Sequence, residues 1–167
     1  AANMDPQERL FLQVALEAFE TAGYARRALA GRPVGVFAGV TATTHLLAGR
    51  DARRAGADNP SYAVSAFASV ANRVSHVFDL NGPSLAIDTM CSSSLTAVHL
   101  ACEAIRSGAA EIALAGGVNL YLHPDRFAGL CSLGMMSRGS QTKAFGTGAD
   151  GFVPGEGAGA VVLKRLD

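Results

Sequence analysis

Tryptophan is missing from the 167 residues, and aromatic side chains of any kind make up only 7% of them. Packing must therefore rest on aliphatic and small residues. Charge is also scarce: 17% of residues are charged, with 14 basic and 14 acidic side chains and a formal net charge of zero. Such a chain projects no basic field for nucleic acid and carries no acidic solvating tail, so no nucleic-acid partner is expected. No apolar run reaches the roughly 20 residues that span a bilayer, and no membrane association is expected. Ala1-Ala2-Asn3-Met4-Asp5 lacks the basic start and apolar core of a secretory signal. The one Asn-x-Ser spelling is blocked by Pro60 after Asn59. Cysteine is limited to Cys91, Cys102 and Cys131, an odd number at no metal-ligand spacing. Reduced thiols in a cytoplasmic protein without a bound metal are expected. What is plentiful is glycine, with 19 residues, and apolar side chains, at 49%. The length suffices for one domain with a sizeable core, and the small residues suggest layers whose backbones approach closely.

The punctuation predicts helices alternating with strands. Asp5 can cap a helix with Pro6 at its first position and Glu8 closing a capping box, and Gly23 stops it. Leu10, Phe11, Val14, Ala15 and Ala18 share one face, widened by Leu12, Leu16 and Phe19. Residues 33–41 read as a buried strand, 41–60 as mostly loop with room for one short helix, and 61–78 as holding a helix. Asp79-Leu80-Asn81-Gly82-Pro83 is a turn, followed by a strand at 84–88, a helix at 92–107 and a strand at 111–115 closed by Gly116-Gly117. Gly155 to Gly159 introduce a last strand at 160–164. Strands separated by helices predict an α/β layered domain.

Chemistry concentrates in Ser84-Leu85-Ala86-Ile87-Asp88-Thr89-Met90-Cys91-Ser92-Ser93-Ser94-Leu95. A strand ends, Cys91 follows at a sharp turn, and a helix begins. Unpaired N–H groups at a helix start favour a thiolate and stabilise an oxyanion formed during acyl transfer. The small serines let the backbone and an acyl chain come close, the logic of a nucleophile elbow with Cys in place of Ser. A buried cysteine that merely opens a helix would share this setting. Cys102 and Cys131 lack it and read as buried packing thiols.

The stretch Asp88 to Leu95 resembles the active-site signature of β-ketoacyl synthases, specifically those of modular polyketide synthases. The likeness extends in order along the chain, through Met4-Asp5-Pro6-Gln7-Glu8-Arg9, Asn72-Arg73-Val74-Ser75, Leu80-Asn81-Gly82-Pro83-Ser84, Ala115-Gly116-Gly117-Val118-Asn119, Asp150-Gly151-Phe152 and Gly155-Glu156-Gly157. The resemblance implies a thiolase-like layered α/β fold, of which residues 1–167 are the first half only, the C-terminal half being absent. It implies Cys91 as the acyl-accepting nucleophile. An acyl carrier protein would present acyl and malonyl-type thioesters on its phosphopantetheine arm, with no cofactor bound directly. Decarboxylation of the malonyl-type unit would drive carbon–carbon bond formation. The complete domain would be a homodimer, so exposed apolar surface is expected where the second half and the partner would lie. Two other readings stay open: a non-elongating acyl-holding protein, and a thiolase-like coenzyme A enzyme.

The family's two histidine motifs do not occur among His45, His76, His99 and His123. His99 lies eight residues beyond Cys91, about 12 Å along a continuous helix, and is a poor partner. His45 and His123 fall in loop-like stretches and His76 in an apolar, helical one, so packing or surface roles are expected for all four. Gln141-Thr142 and Gly146 stand where the family's loop commonly has Arg-Cys before Lys143 and Asp after Phe145. Met90 replaces a commoner Ala, as in family branches served by a separate acyltransferase. Gly146-Thr147-Gly148-Ala149-Asp150-Gly151 spells a dinucleotide fingerprint but lacks the strand that should precede it. Arg26-Arg27 and Arg53-Arg54 are isolated basic pairs that read as solvated.

Overall fold

Side-chain alternation along two strands divides the core. A computed structural model describes residues 4–56 and 66–166. Its elements are α1 (Pro6–Thr21), α2 (Arg26–Leu29), β1 (Val34–Gly39), α3 (His45–Arg54), α4 (Phe67–Phe78), β2 (Ser84–Ile87), α5 (Ser93–Arg106), β3 (Ile112–Asn119), α6 (Pro124–Ser132) and β4 (Gly157–Lys164). In β1 and β3, Val34, Val36, Ala38, Ile112, Leu114 and Val118 face one way and Phe37, Ala113 and Ala115 the other. A strand buried on both faces needs a layer on each. Phe11, Phe19, Val70, Val74 and Phe78 of α1 and α4 cover the first face. Ala97, Ala101 and Ala104 of α5 cover the second. The sheet order is β2-β1-β3-β4, with β1 parallel to β2 and β3, and β4 antiparallel at the edge.

α1 begins as expected: the Asp5 carboxylate accepts a hydrogen bond from Gln7 N–H at 2.8 Å, and Pro6 occupies the first turn. The capping box does not close through Glu8, whose buried side chain instead meets Arg73 of α4 at 3.4 Å. The buried face is also narrower than expected. Phe11, Ala15 and Phe19, four residues apart, are fully buried, whereas Leu16 is exposed. Helix α4 starts at Phe67; the part of its expected span at 61–65, and the end of the loop expected before it, lie outside the described residues. The Asp79 turn follows, with Asp79 in the left-handed region at φ 55°.

Three expectations are corrected. β3 does not stop at Gly116-Gly117 but runs on to Asn119, and β4 starts at Gly157 rather than Ala160. The glycines allow close pairing rather than ending the strand. A Cβ added at Gly116 would lie 2.8 Å from Ala160 Cα and nearer still to the Gly159 carbonyl. His123 lies in the connection after β3, as expected, where it is the N-cap of α6, whereas His45 is the first residue of α3 rather than part of a loop. Cys131 is exposed rather than buried, with its Sγ 3.5 Å from Met136 Sδ; Cys102 is half-buried. The fingerprint-like segment at 146–151 forms turns with no strand before it and no helix after it. Large apolar side chains are exposed, among them Leu95, Leu133 and Val161. No helix among the described residues is long and apolar enough to cross a membrane.

Candidate active site

Parallel strands end together, and the helices that follow them begin there, so the carboxyl ends of β1 and β2 form a natural site. The chain leaves β2 at Ile87 and turns sharply before α5. Met90 takes the left-handed conformation, at φ 57°, and opens a single 3-10 turn, Met90–Ser92, with Cys91 at its centre. A non-glycine residue in this region holds its place only when its surroundings enforce it. Here the enforcement is visible. Asp88 Oδ1 accepts from Met90 N–H at 3.0 Å. The buried Ser93 hydroxyl accepts from Thr89 N–H at 2.9 Å and donates to the Met90 carbonyl at 2.7 Å. Ser92 Oγ donates to the Thr89 carbonyl at 2.8 Å, and Thr96 Oγ1 donates back to the Ser92 carbonyl at 3.0 Å. Thus Ser92 and Ser93, read in the sequence as small residues, also fasten the turn.

The first turn of α5 sits directly on β1. A Cβ at Gly39 would lie 3.0 Å from Ser93 C and Ser94 N, so any larger residue would press on the helix backbone. Cys91 is exposed, and it lines a cavity of about 740 Å³ with Met90, Ser94 and Val98 on the α5 side. Gly116, Gly117, Ala158 and Val161 of the β3–β4 pair, with Tyr121 and Arg126 after β3, complete the wall. The cavity is lined largely by small and apolar residues, and the Cys91 thiol opens into it just before the start of α5.

Buried amide chemistry holds this wall from behind. Gln7, 1% exposed, donates from Nε2 to the Ala42 carbonyl after β1 at 2.7 Å and accepts from Leu120 N–H after β3 at 3.1 Å. Asn119 Nδ2 donates to the Gly155 carbonyl at 3.0 Å, and the Glu156 carboxylate accepts from Tyr121 N–H. Gln7, Gly39, Tyr121 and Arg126 had no local signal as site residues.

No histidine approaches Cys91 as a partner among those lining its cavity. His99 and His76 are exposed on α5 and α4. His123 Nδ1 accepts from Asp125 N–H at 3.2 Å, which leaves the proton on Nε2 to be donated to Asp51 Oδ2 at 2.9 Å. This bond ties α6 to α3 and holds the Asp51 carboxyl below its ordinary range. Shielding from water opposes the shift, and the Arg50 and Arg54 charges reinforce it. Asp150 is likewise lowered, by hydrogen bonds from Ser137 Oγ and Arg138 N–H. No group of three or more His, Cys, Asp or Glu side chains among the described residues is placed to hold a metal ion.

A family model described as the N-terminal domain of β-ketoacyl synthases matches residues 1–167. Polyketide synthase ThaG of Burkholderia thailandensis is 51% identical over 166 residues, covering 99% of this chain and 3% of that protein. Polyketide synthase PksL of Bacillus subtilis is 48% identical, covering 98% of this chain and 4% of the relative. An oxazolomycin ketosynthase domain of Streptomyces albus, OzmH KS7, superimposes with a TM-score of 0.90 at 50% identity, over 98% of this chain and 29% of its own. The ketosynthase from module 6 of the bacillaene synthase of Bacillus subtilis gives 0.86 at 44% identity, over 98% of this chain and 27% of its own. The chain thus spans under a third of the solved relatives and a few per cent of the polyketide synthases, and its layered α/β fold is the thiolase-like one.

Proposed function

The chain belongs to the β-ketoacyl synthase family, through that family's N-terminal domain, and from this premise we propose that it builds the acyl-loading part of a polyketide-type condensing enzyme. The observation that carries the reading is Cys91, exposed at the β2–α5 junction inside an apolar cavity. Its Sγ attacks the carbonyl carbon of a thioester held on the phosphopantetheine arm of an acyl carrier protein. The carbonyl–sulfur bond to the arm breaks, and the arm leaves as a thiol with the proton that Cys91 gives up. A malonyl-type thioester then loses carbon dioxide and keeps the electron pair on its α-carbon. That carbon bonds to the Cys91-bound carbonyl, the bond to Sγ breaks, and Cys91 regains a proton. Covalent catalysis divides one difficult step into two easier ones. Charge stabilisation during decarboxylation falls to groups that the four histidines of this chain do not supply. The enzyme works without a directly bound cofactor, in the cytoplasm, as a homodimer whose complete domain extends beyond this first half. The exposed Leu95, Leu133 and Val161 are consistent with covered surface in such an assembly. The polyketide synthase relatives favour this reading over a thiolase-like coenzyme A enzyme.

Incubation with a short acyl thioester, read by intact mass, tests the proposal. A single acyl adduct on Cys91, absent in Cys91→Ala, is the expected result. No adduct in the folded full synthase would sink the nucleophile assignment.

A further inference from the structure

Arg126 is the one charged side chain lining the Cys91 cavity among the described residues. It lies in the first turn of α6, and its Nε is shielded from solvent with no hydrogen-bond partner. Only two other buried side-chain polar atoms among the described residues lack a partner, Thr44 Oγ1 and His45 Nε2, both at the start of α3. The Asp51–His123 bond ties this helix to α6. Asp51 is engaged with His123 and Glu156 with Tyr121 N–H, and no carboxylate accepts from Arg126 Nε. A shielded guanidinium N–H without an acceptor is costly to leave unmade, and low-polarity walls strengthen any charge it meets. The guanidinium fork matches a carboxylate with two parallel hydrogen bonds, which an ammonium cannot reproduce.

We propose that Arg126 is a specificity-determining residue that binds a carboxylate carried by the thioester substrate in the Cys91 cavity. This rests on the acyl-transfer reading of Cys91. The carboxylate has two possible sources, the acyl group delivered to Cys91 or the malonyl-type unit that condenses with it.

The test uses the full synthase that contains this chain, as wild type, Arg126→Leu and Arg126→Lys. Transfer onto Cys91 is timed by intact mass with two N-acetylcysteamine thioesters of equal length, pentanoyl and glutaryl, the second ending in a carboxylate. Condensation of pentanoyl-loaded enzyme with a malonyl thioester is followed separately for KM and kcat. If the acyl group is read, Arg126→Leu lowers the glutaryl-to-pentanoyl rate ratio at least tenfold. If the malonyl-type unit is read, the same variant raises the malonyl KM at least tenfold with a smaller change in kcat. Arg126→Lys restores only part of either effect. Should the leucine variant fail to fold, Arg126→Gln takes its place. The proposal is overturned if the rate ratio and the malonyl KM both stay within twofold of wild type. Equal slowing of both acyl donors with a lowered melting temperature also overturns it, because Arg126 would then serve the fold. Wild-type enzyme that takes no acyl group from either thioester would instead defeat the reading of Cys91.

Discussion

At the scale of single residues, the placement of Cys91 depends on a strained neighbour and the hydroxyl that holds it. Met90 is left-handed at φ 57°, and Ser93 Oγ joins the N–H before it to its own carbonyl. Ser93 is 4% exposed, so removing the hydroxyl leaves shielded groups unpaired. Ser93→Ala is expected to lower stability by about 1–2 kcal/mol, measured by denaturant unfolding. Acyl loading of Cys91 should slow as well, because the turn that presents the thiol relaxes. The Ser-rich signature was legible as the end of a strand and the start of a helix. The roles of Ser92 and Ser93 were not, because a hydroxyl does not show in sequence which carbonyl it will meet.

Elements meet the site through close backbone approach and one polar tie. Gly39 lets α5 rest on β1, and an added methyl group would press on Ser93 C and Ser94 N at 3.0 Å. Backbone cannot swing aside as a side chain can. Gly39→Ala is therefore expected to cost about 1–3 kcal/mol by overpacking and to displace Cys91, visible as a lower melting temperature with slower acyl transfer. The α3–α6 tie is pH-dependent with a defined sign. Asp51 ionises below its ordinary value of 3.8 when bonded to His123. Its contribution is therefore complete above that value and is lost as the pH falls through the lowered one. Amide protection factors in residues 45–54, with the intrinsic exchange rate divided out, should fall on acidification from pH about 5 to about 2, and Asp51→Asn should remove this component of the pH response.

Across the whole molecule, α1 and the cavity wall are linked through Gln7, which joins Ala42 after β1 to Leu120 after β3. Gln7→Leu keeps much of the volume but abandons a carbonyl and an N–H in a buried setting. A loss of about 2 kcal/mol or more is expected from two such unpaired groups, checked by thermal and denaturant melts. The loops carrying Thr41 and Tyr121, both of which line the cavity, should loosen together with the end of β3 at Asn119. One change in the first helix would then be felt at the thiol on the far side of the sheet.

The amino-acid sequence by itself determined the α1 cap, the turn at Asp79, the strand–turn–helix around Cys91 and the alternation of helices and strands. Each is set by a few consecutive residues whose hydrogen bonds and periodicity are local. Only the tertiary structure decided that Gly116-Gly117 continue a strand, because their role depends on β4 arriving opposite them at Gly159 and Ala160. The same holds for Gln7 with Leu120, 113 residues apart, and for Asp51 with His123, 72 residues apart. Arg126 became part of the Cys91 cavity in this way too. Such pairs are brought together only by the tertiary fold, and neither partner carries a mark of the other in its own neighbourhood.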